Sequence, residues 1–109
     1  MSWDINLYTE LDGEIIDIPG TDFNYTHNTN QMIREAGFGD WPYKVDGWDA
    51  QDLGIGLAKA LEELTRDPKR FRAMNPENGW GDYDTLVSVL RQIRELCAKY
   101  PSAKVHMWA

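Results

Sequence analysis

Apolar and polar residues alternate at the amino terminus, where Trp3, Ile5 and Leu7 occupy every second position. Because successive side chains of a strand point to opposite faces, this pattern predicts a strand over residues 3–8 with these three side chains in the core. The turn signal Asp12-Gly13 then predicts a β-hairpin with a second strand. The strands predicted after the first cover residues 14–18, about 23–27, and 103–108.

A spacing of three or four residues between apolar positions predicts two long helices. The first begins after Asp49 and the second runs from about residue 83 to Tyr100, before Pro101. Shorter helical patterns lie between them and before them. The inward-facing residues of the two long helices are Leu53, Leu57, Leu61 and Leu64 in the first, and Leu86, Leu90, Ile93, Cys97 and Tyr100 in the second.

The order of these elements predicts one α+β domain over residues 1–109. We expect a small, mainly antiparallel sheet, formed by three N-terminal strands and the C-terminal strand and covered by two long helices and short helical segments. The final strand should lie within or beside the N-terminal sheet. Residues 38–48 have no sustained period and predict a loop, which we interpret as a flap over the edge of the core; a lid over a site is the alternative.

Charge is unevenly distributed along the chain, whose net charge is −7. Residues 1–52 hold 11 acidic and 2 basic side chains, whereas residues 53–109 hold 7 acidic and 9 basic ones. This balance opposes binding to nucleic acid, which depends on clustered Lys and Arg. The acidic half suits a basic protein partner, and the alternative is that its charge only maintains solubility.

No apolar run approaches the roughly 18 residues of a membrane span. The amino terminus also lacks the basic residues followed by an apolar stretch that are typical of a signal peptide. We therefore expect no membrane association and a cytoplasmic location. Cys97 is the only cysteine, and its position in an apolar helical pattern predicts a buried thiol rather than a nucleophile.

The stretch Asp22–Met32 is the candidate binding site, because a strand pattern passes there directly into a helix pattern. Alternation along an extended backbone would place three neutral hydrogen-bonding side chains, Asn24, Thr26 and Asn28, in one polar row. Loops that carry indole rings can fold nearby, and aromatic walls with a few amides are typical of small-ligand sites. The structural alternative is that the polar groups bond neighbouring loops while the indoles fill the core edge. The candidate ligand-binding residues are Asn24, Thr26, His27, Asn28, Trp41, Trp48 and Trp80.

Patterns that carry catalysis are missing from the sequence. His27 and His106 have no metal-ligand spacing with each other or with Cys97, and no phosphate loop or dinucleotide fingerprint occurs, so we expect no metal and no cofactor. We predict a non-enzymatic binding module for a small ligand or a host protein, with oligomeric state left open. The alternatives are an acidic inhibitor of a basic host protein and an enzyme that uses His27 as general base.

Two motifs resemble those of small uncharacterised proteins encoded by bacteriophages and prophages. The first is the row Asn24-Tyr-Thr26-His-Asn28 with Met32 four positions on, and the second is Asn-Gly-Trp-Gly-Asp-Tyr at residues 78–83. The resemblance covers about a quarter of the chain. It implies an accessory protein of the bacterial cytoplasm that acts on a host or rival-phage component, and it implies no catalytic residues.

Two further expectations concern packing. Gly54 and Gly56 each cost a helix interior about 1 kcal/mol relative to Ala, which predicts close packing against a neighbouring element; approach to a ligand near the helix start is the alternative. Trp80 lies between two bends, and we expect these bends to hold its indole inward as an anchor of the connector before the last helix. The alternative for Trp80 is an open binding surface.

Overall fold

A computed structural model describes all of residues 1–109 and confirms the α+β class, with a four-stranded antiparallel sheet. No helix in it is both long enough and apolar enough to span a membrane. The elements in chain order are β1 (Ser2–Leu11), β2 (Glu14–Asp17), β3 (Phe23–Thr26), α1 (Asn30–Ile33), α2 (Ala50–Arg66), α3 (Pro68–Arg72), α4 (Tyr83–Lys99) and β4 (Lys104–Trp108).

Strand β1 is the centre of the sheet, because all three other strands pair with it in antiparallel orientation. Tyr8 pairs with Asp17 of β2 and also with Lys104 of β4. Since a strand residue has one neighbour on each side, β2 and β4 lie on opposite edges of β1. The same argument at Asp4 places β3 on the edge that β2 occupies. The C-terminal strand therefore joins the N-terminal sheet, as predicted.

Thr21 continues the hydrogen bonding of β1 between β2 and β3. Its hydroxyl accepts from the Leu7 amide (3.0 Å) and donates to the Ile18 carbonyl (2.7 Å), and the residue is buried. The Ile18 amide in turn donates to the Leu7 carbonyl at 2.9 Å. A side chain thus replaces the missing backbone partner where the strand is interrupted, so no polar group of Leu7 is left unsatisfied.

Helices α2 and α4 cover one face of the sheet with apolar stripes, as predicted. Leucines at the expected spacing in both helices are buried against Trp3, Ile5 and Leu7 of β1. Glycines permit a close approach here, which confirms that prediction. A Cβ added to Gly56 would lie 2.8 Å from Phe38 Cε2, and one added to Gly54 would lie 3.1 Å from Cys97 Cβ.

The loop of residues 38–48 is a flap over the core edge, as we interpreted it. The Gly47 amide donates to the Val105 carbonyl (2.7 Å), and the Val105 amide donates to the Trp48 carbonyl (2.8 Å). The loop therefore occupies the outer edge of β4 and protects it from pairing with another chain. Trp41 inserts from this loop into the core, where its ring contacts Trp3 edge to face at 5.2 Å between ring centroids.

The ends of β1 and β2 project beyond the helices. We call residues 9–16 the arm; every residue in it is exposed, and Asp12 and Gly13 form its turn with positive φ angles of 52° and 80°. Such a turn matches the twist of a two-residue hairpin. Strand β1 is longer than the predicted strand over residues 3–8. It continues to Leu11, beyond the part of the sheet that the core covers.

Candidate functional site

The face of the sheet away from the helices is open. Alternation along β1 directs Asp4, Asn6 and Tyr8 to this face, opposite to the buried Trp3, Ile5 and Leu7. Their cross-strand partners point the same way, because directly opposite residues of an antiparallel pair share a face. These partners are Asn24 in β3, Asp17 in β2, and Lys104, His106 and Trp108 in β4.

A groove with a volume of about 580 Å³ runs across this open face. Volumes of this size are typical of sites for small ligands. Three carboxylates and two amides contribute to its walls, and no Lys, Arg or His does. The lining residues are Asp4, Ile5, Asn6, Asp17, Ile18, Pro19, Asp22, Phe23, Asn24 and Trp108.

Two carboxylates of the groove are held in place by amide side chains. Asn24 Nδ2 donates to Asp4 Oδ1 (3.0 Å), and Asn6 Nδ2 donates to Asp17 Oδ1 (2.9 Å). Asn6 is only 6% exposed, and its Nδ2 also contacts the Leu7 carbonyl at 3.2 Å. The Oδ2 atoms of Asp4 and Asp17 accept no hydrogen bond within the chain, nor does Asn6 Oδ1, so the acceptors are positioned but unused.

An aromatic strip borders the groove on the β4 side. His106 contacts Trp108 with ring centroids 4.4 Å apart, and it meets Tyr8 edge to face at 6.4 Å. Trp108 also lines the groove, and about half of its side chain remains exposed. The open face therefore combines anionic groups with an aromatic wall, and the only cation among the face residues, Lys104, is paired with Asp49 at 2.9 Å.

Of the predicted polar row, only Asn24 lies in this groove. The strand ends at Thr26, where the chain enters a 3-10 turn over His27–Thr29. The Thr26 hydroxyl caps that turn by accepting a hydrogen bond from the Asn28 amide at 3.2 Å. Asn28 therefore lies in the turn and not in the extended row with Asn24. The prediction of one continuous row was wrong, because it extended the alternation of the strand by two residues. None of the three polar side chains is fully buried.

The tryptophans separate instead of forming one wall. Trp41 is fully buried in the core, and Trp48 stacks on Phe38 at 6.0 Å. Trp80 is 71% exposed, so the prediction that it anchors the connector from inside was wrong. The Trp80 amide donates to Asn78 Oδ1 (2.9 Å), and positive φ angles at Gly79 and Gly81 turn the backbone so that the indole faces solvent.

The two motifs that carry the phage resemblance contact each other. Asn28 Nδ2 donates to the Trp80 carbonyl (3.2 Å), and the Tyr25 hydroxyl accepts from the Asp82 amide (3.1 Å). A Cβ on Gly81 would come within 2.5 Å of Thr26 Cγ2, so only glycine fits there. Partial burial raises the pKa of the Tyr25 phenol. These contacts support a structural role for Thr26 and Asn28, the alternative we gave for the polar row.

Two candidate reactive groups away from the groove, the Cys97 thiol and His27 Nε2, are buried. Burial raises the pKa of the Cys97 thiol to about 11, so it is protonated at neutral pH and a poor nucleophile. His27 Nε2 is buried without a hydrogen-bond partner. No group of three or more His, Cys, Asp or Glu side chains is placed to hold a metal ion.

Seven of the ten residues that line the groove lie outside the predicted stretch Asp22–Met32. Asp4, Asn6 and Trp108 lie at the outward positions of strands that were predicted correctly, so the alternation that assigned the core also marked them. Asp17 and Asp22 flank the interruption between β2 and β3. Their convergence depends on strand register, which the pattern along one strand does not reveal.

Comparisons of this chain with protein-family models, with curated proteins and with solved structures give no match. The chemistry of the groove is therefore the main guide to function.

Proposed function

We propose that this protein is a non-enzymatic binding module that holds a positively charged group in the groove of the open sheet face. The observation that carries the proposal is the pair Asp4 and Asp17, each fixed by an amide donor at one oxygen and free at the other. Fixed acceptors lose little conformational freedom when a ligand binds, which favours affinity. The ligand class is a guanidinium or ammonium group.

Charge and aromatic content both favour such a group. A cation bound between Asp4, Asp17 and Asp22 would form charge-assisted hydrogen bonds, which are about twice as strong as neutral ones. Trp108 can add a cation–π contact, for which indole is the best of the aromatic side chains. Anionic ligands such as nucleic acid would meet three carboxylates and no lining cation, so the groove opposes them.

The biological setting follows from the resemblance to phage-encoded proteins and is part of the proposal. On that basis the protein acts in the bacterial cytoplasm, and the cation belongs to a component of the host. This agrees with the acidic balance of residues 1–52, which favours encounter with basic surfaces. The groove supports both binding hypotheses from the sequence, since it has the volume of a small-ligand site and an acidic lining.

The test is a titration of the ¹⁵N-labelled protein with L-argininamide, followed by NMR. We expect saturable shifts at the amides of Asp4, Asn6 and Asp17 and at the Trp108 indole. The double variant Asp4→Asn, Asp17→Asn keeps the acceptors for Asn24 and Asn6 but removes both charges. It should weaken binding by about tenfold or more, since hydrogen bonds to charged groups contribute roughly 1.5–3 kcal/mol each.

A matched control is the double variant Glu62→Gln, Glu63→Gln, which removes two carboxylates from α2 that pair with Arg66. Its affinity for L-argininamide should equal that of the parent. Equal loss in both double variants would mean that net charge alone attracts the ligand, and shifts spread evenly over the acidic surface would mean the same. Either result contradicts a built site.

A further inference from the structure

We infer, resting on the proposed function, that the bound cation is part of an extended, basic polypeptide segment of a partner protein, and that this segment continues from the groove onto the arm. Two features lie side by side on one face of the sheet. The carboxylates of the groove, which include Asp17, are next to Ile15, an exposed apolar side chain of the arm. The partner that fits is one in which arginine or lysine is followed by aliphatic residues.

The groove and the arm are continuous through β2. Asp17 lines the groove, and Ile15 lies two residues before it on the same face of the sheet. Tyr8 pairs with Asp17, and the next residue of β1 on that face, Glu10, pairs with Ile15. An extended peptide advances about 3.3 Å per residue, so a cation in the groove and an apolar residue on Ile15 lie roughly two to four residues apart.

The arm has the composition of a contact surface. Ile15 is 65% exposed on the groove side of the sheet, and Leu11 (61%) and Ile16 (44%) are exposed on the other face. Three carboxylates, Glu10, Asp12 and Glu14, are the only charged side chains of the arm. An isolated two-stranded hairpin is marginally stable in water, so a partner that covers its aliphatic residues would stabilise it.

The carboxylates of the arm and the groove favour a basic partner over a second copy of this chain or nucleic acid. A second copy that placed its arm against this one would bring six carboxylates together with no arm cation to offset them, which is unfavourable. Nucleic acid is opposed for the same reason. A basic segment instead places its cations against the groove and the rim of the arm, while its aliphatic residues cover Ile15.

The test compares two peptides of equal charge, both acetylated and amidated. Arg-Ser-Val-Ser-Val-Ser-Arg carries its arginines and valines on one face when extended, and Arg-Ser-Ser-Ser-Ser-Ser-Arg lacks the valines. We expect the valine peptide to bind the full-length protein about tenfold more tightly by calorimetry. Its NMR shifts should extend from the groove to Ile15.

The variant Ile15→Ser should lower affinity for the valine peptide to that of the serine peptide, while L-argininamide binds as it does to the parent. The matched control is Ile55→Ser, which removes an isoleucine that is 51% exposed on α2 and should change neither affinity. Melting temperatures of both variants check that the fold is retained.

The outcomes separate this inference from the proposed function. If the two peptides bind equally while L-argininamide still fills the groove, the arm takes no part, and only the inference is overturned. If neither peptide nor L-argininamide binds, both are overturned. If shifts at Ile15 appear on raising the protein concentration without peptide, together with dimers in sedimentation, a second copy covers the arm and the inference is overturned.

Discussion

The two faces of the sheet are built from the same strands and differ in chemistry. On the helix-covered face Trp3, Ile5 and Leu7 are almost completely buried, whereas the intervening Asp4 and Asn6 meet the groove. One face removes apolar area from water, which is the main source of stability. The other face keeps polar groups fixed by side-chain hydrogen bonds. A single alternating strand thus separates residues that maintain the fold from residues available for binding.

Two tryptophans from loops show the same division. Trp41 lies in the core between Trp3 and Phe38, with ring centroids 5.2 Å from each, whereas Trp80 is mostly exposed on a fixed backbone. Tryptophan is enriched among the residues that dominate binding energies at protein interfaces. The comparison separates a structural indole from one that is available for contact.

The largest effect is expected for Trp41→Ala, which removes a fully buried indole and leaves a cavity. We expect a loss of about 3–5 kcal/mol in the free energy of unfolding. Trp80→Ala, on exposed surface, should change it by no more than about 0.5 kcal/mol. Urea denaturation of the two variants measures the difference. A loss above 2 kcal/mol for Trp80→Ala would contradict the assignment of its indole to the surface.

A smaller effect is expected at the helix glycines on the covered face. Gly56→Ala places a methyl group 2.8 Å from the Phe38 ring, which itself packs on Trp41 and Trp48, so we expect a loss of roughly 1–3 kcal/mol. Gly54→Ala is the comparison, because its contact with Cys97 is 3.1 Å and the gain in helix propensity, about 1 kcal/mol, offsets the overlap. Thermal unfolding ranks the two variants. A higher melting temperature for Gly56→Ala would show that Phe38 moves aside easily.

Local patterns were sufficient to predict most of the fold. Alternation identified the covered face of β1 and of β4, and the spacing of leucines identified α2 and α4, because each of these patterns reports burial of one side of one element. The flap was predicted from its lack of period and its aromatic content. The position of the final strand in the N-terminal sheet was predicted from the need to place a late strand beside early ones, whereas its pairing with β1 in particular is seen only in the structure.

The candidate site was only partly predictable. Asn24 lies in the groove, but its partners Asp4 and Asp17 come from other strands, and their meeting depends on register. The bends around Trp80 were recognised, yet a bend does not fix which way a side chain points. That direction depends on the Asn28 contact, more than fifty residues away in sequence, and on the φ angles of the flanking glycines.

The smallest effect concerns Tyr25, whose ring packs against Trp3 and whose hydroxyl bonds the backbone of Asp82. Burial raises its pKa in the folded state, so the folded protein holds this proton more tightly than the unfolded chain. Stability from this group is therefore fully present below about pH 10, the ordinary tyrosine value, and is lost as pH rises through the folded-state pKa. Tyr25→Phe should cost about 0.5–1.5 kcal/mol at pH 7–9, from the lost hydrogen bonds.

The difference between parent and Tyr25→Phe should then shrink above about pH 10, because only the parent loses stability by ionising this phenol on unfolding. Urea denaturation of both proteins from pH 7 to 11 measures this difference, and titration of the other tyrosines and lysines cancels between them. A difference that stays constant to pH 11 would show that Tyr25 ionises equally in both states. In that case the contact between Tyr25 and Asp82 is open to solvent, and the covered face of the sheet ends before Tyr25.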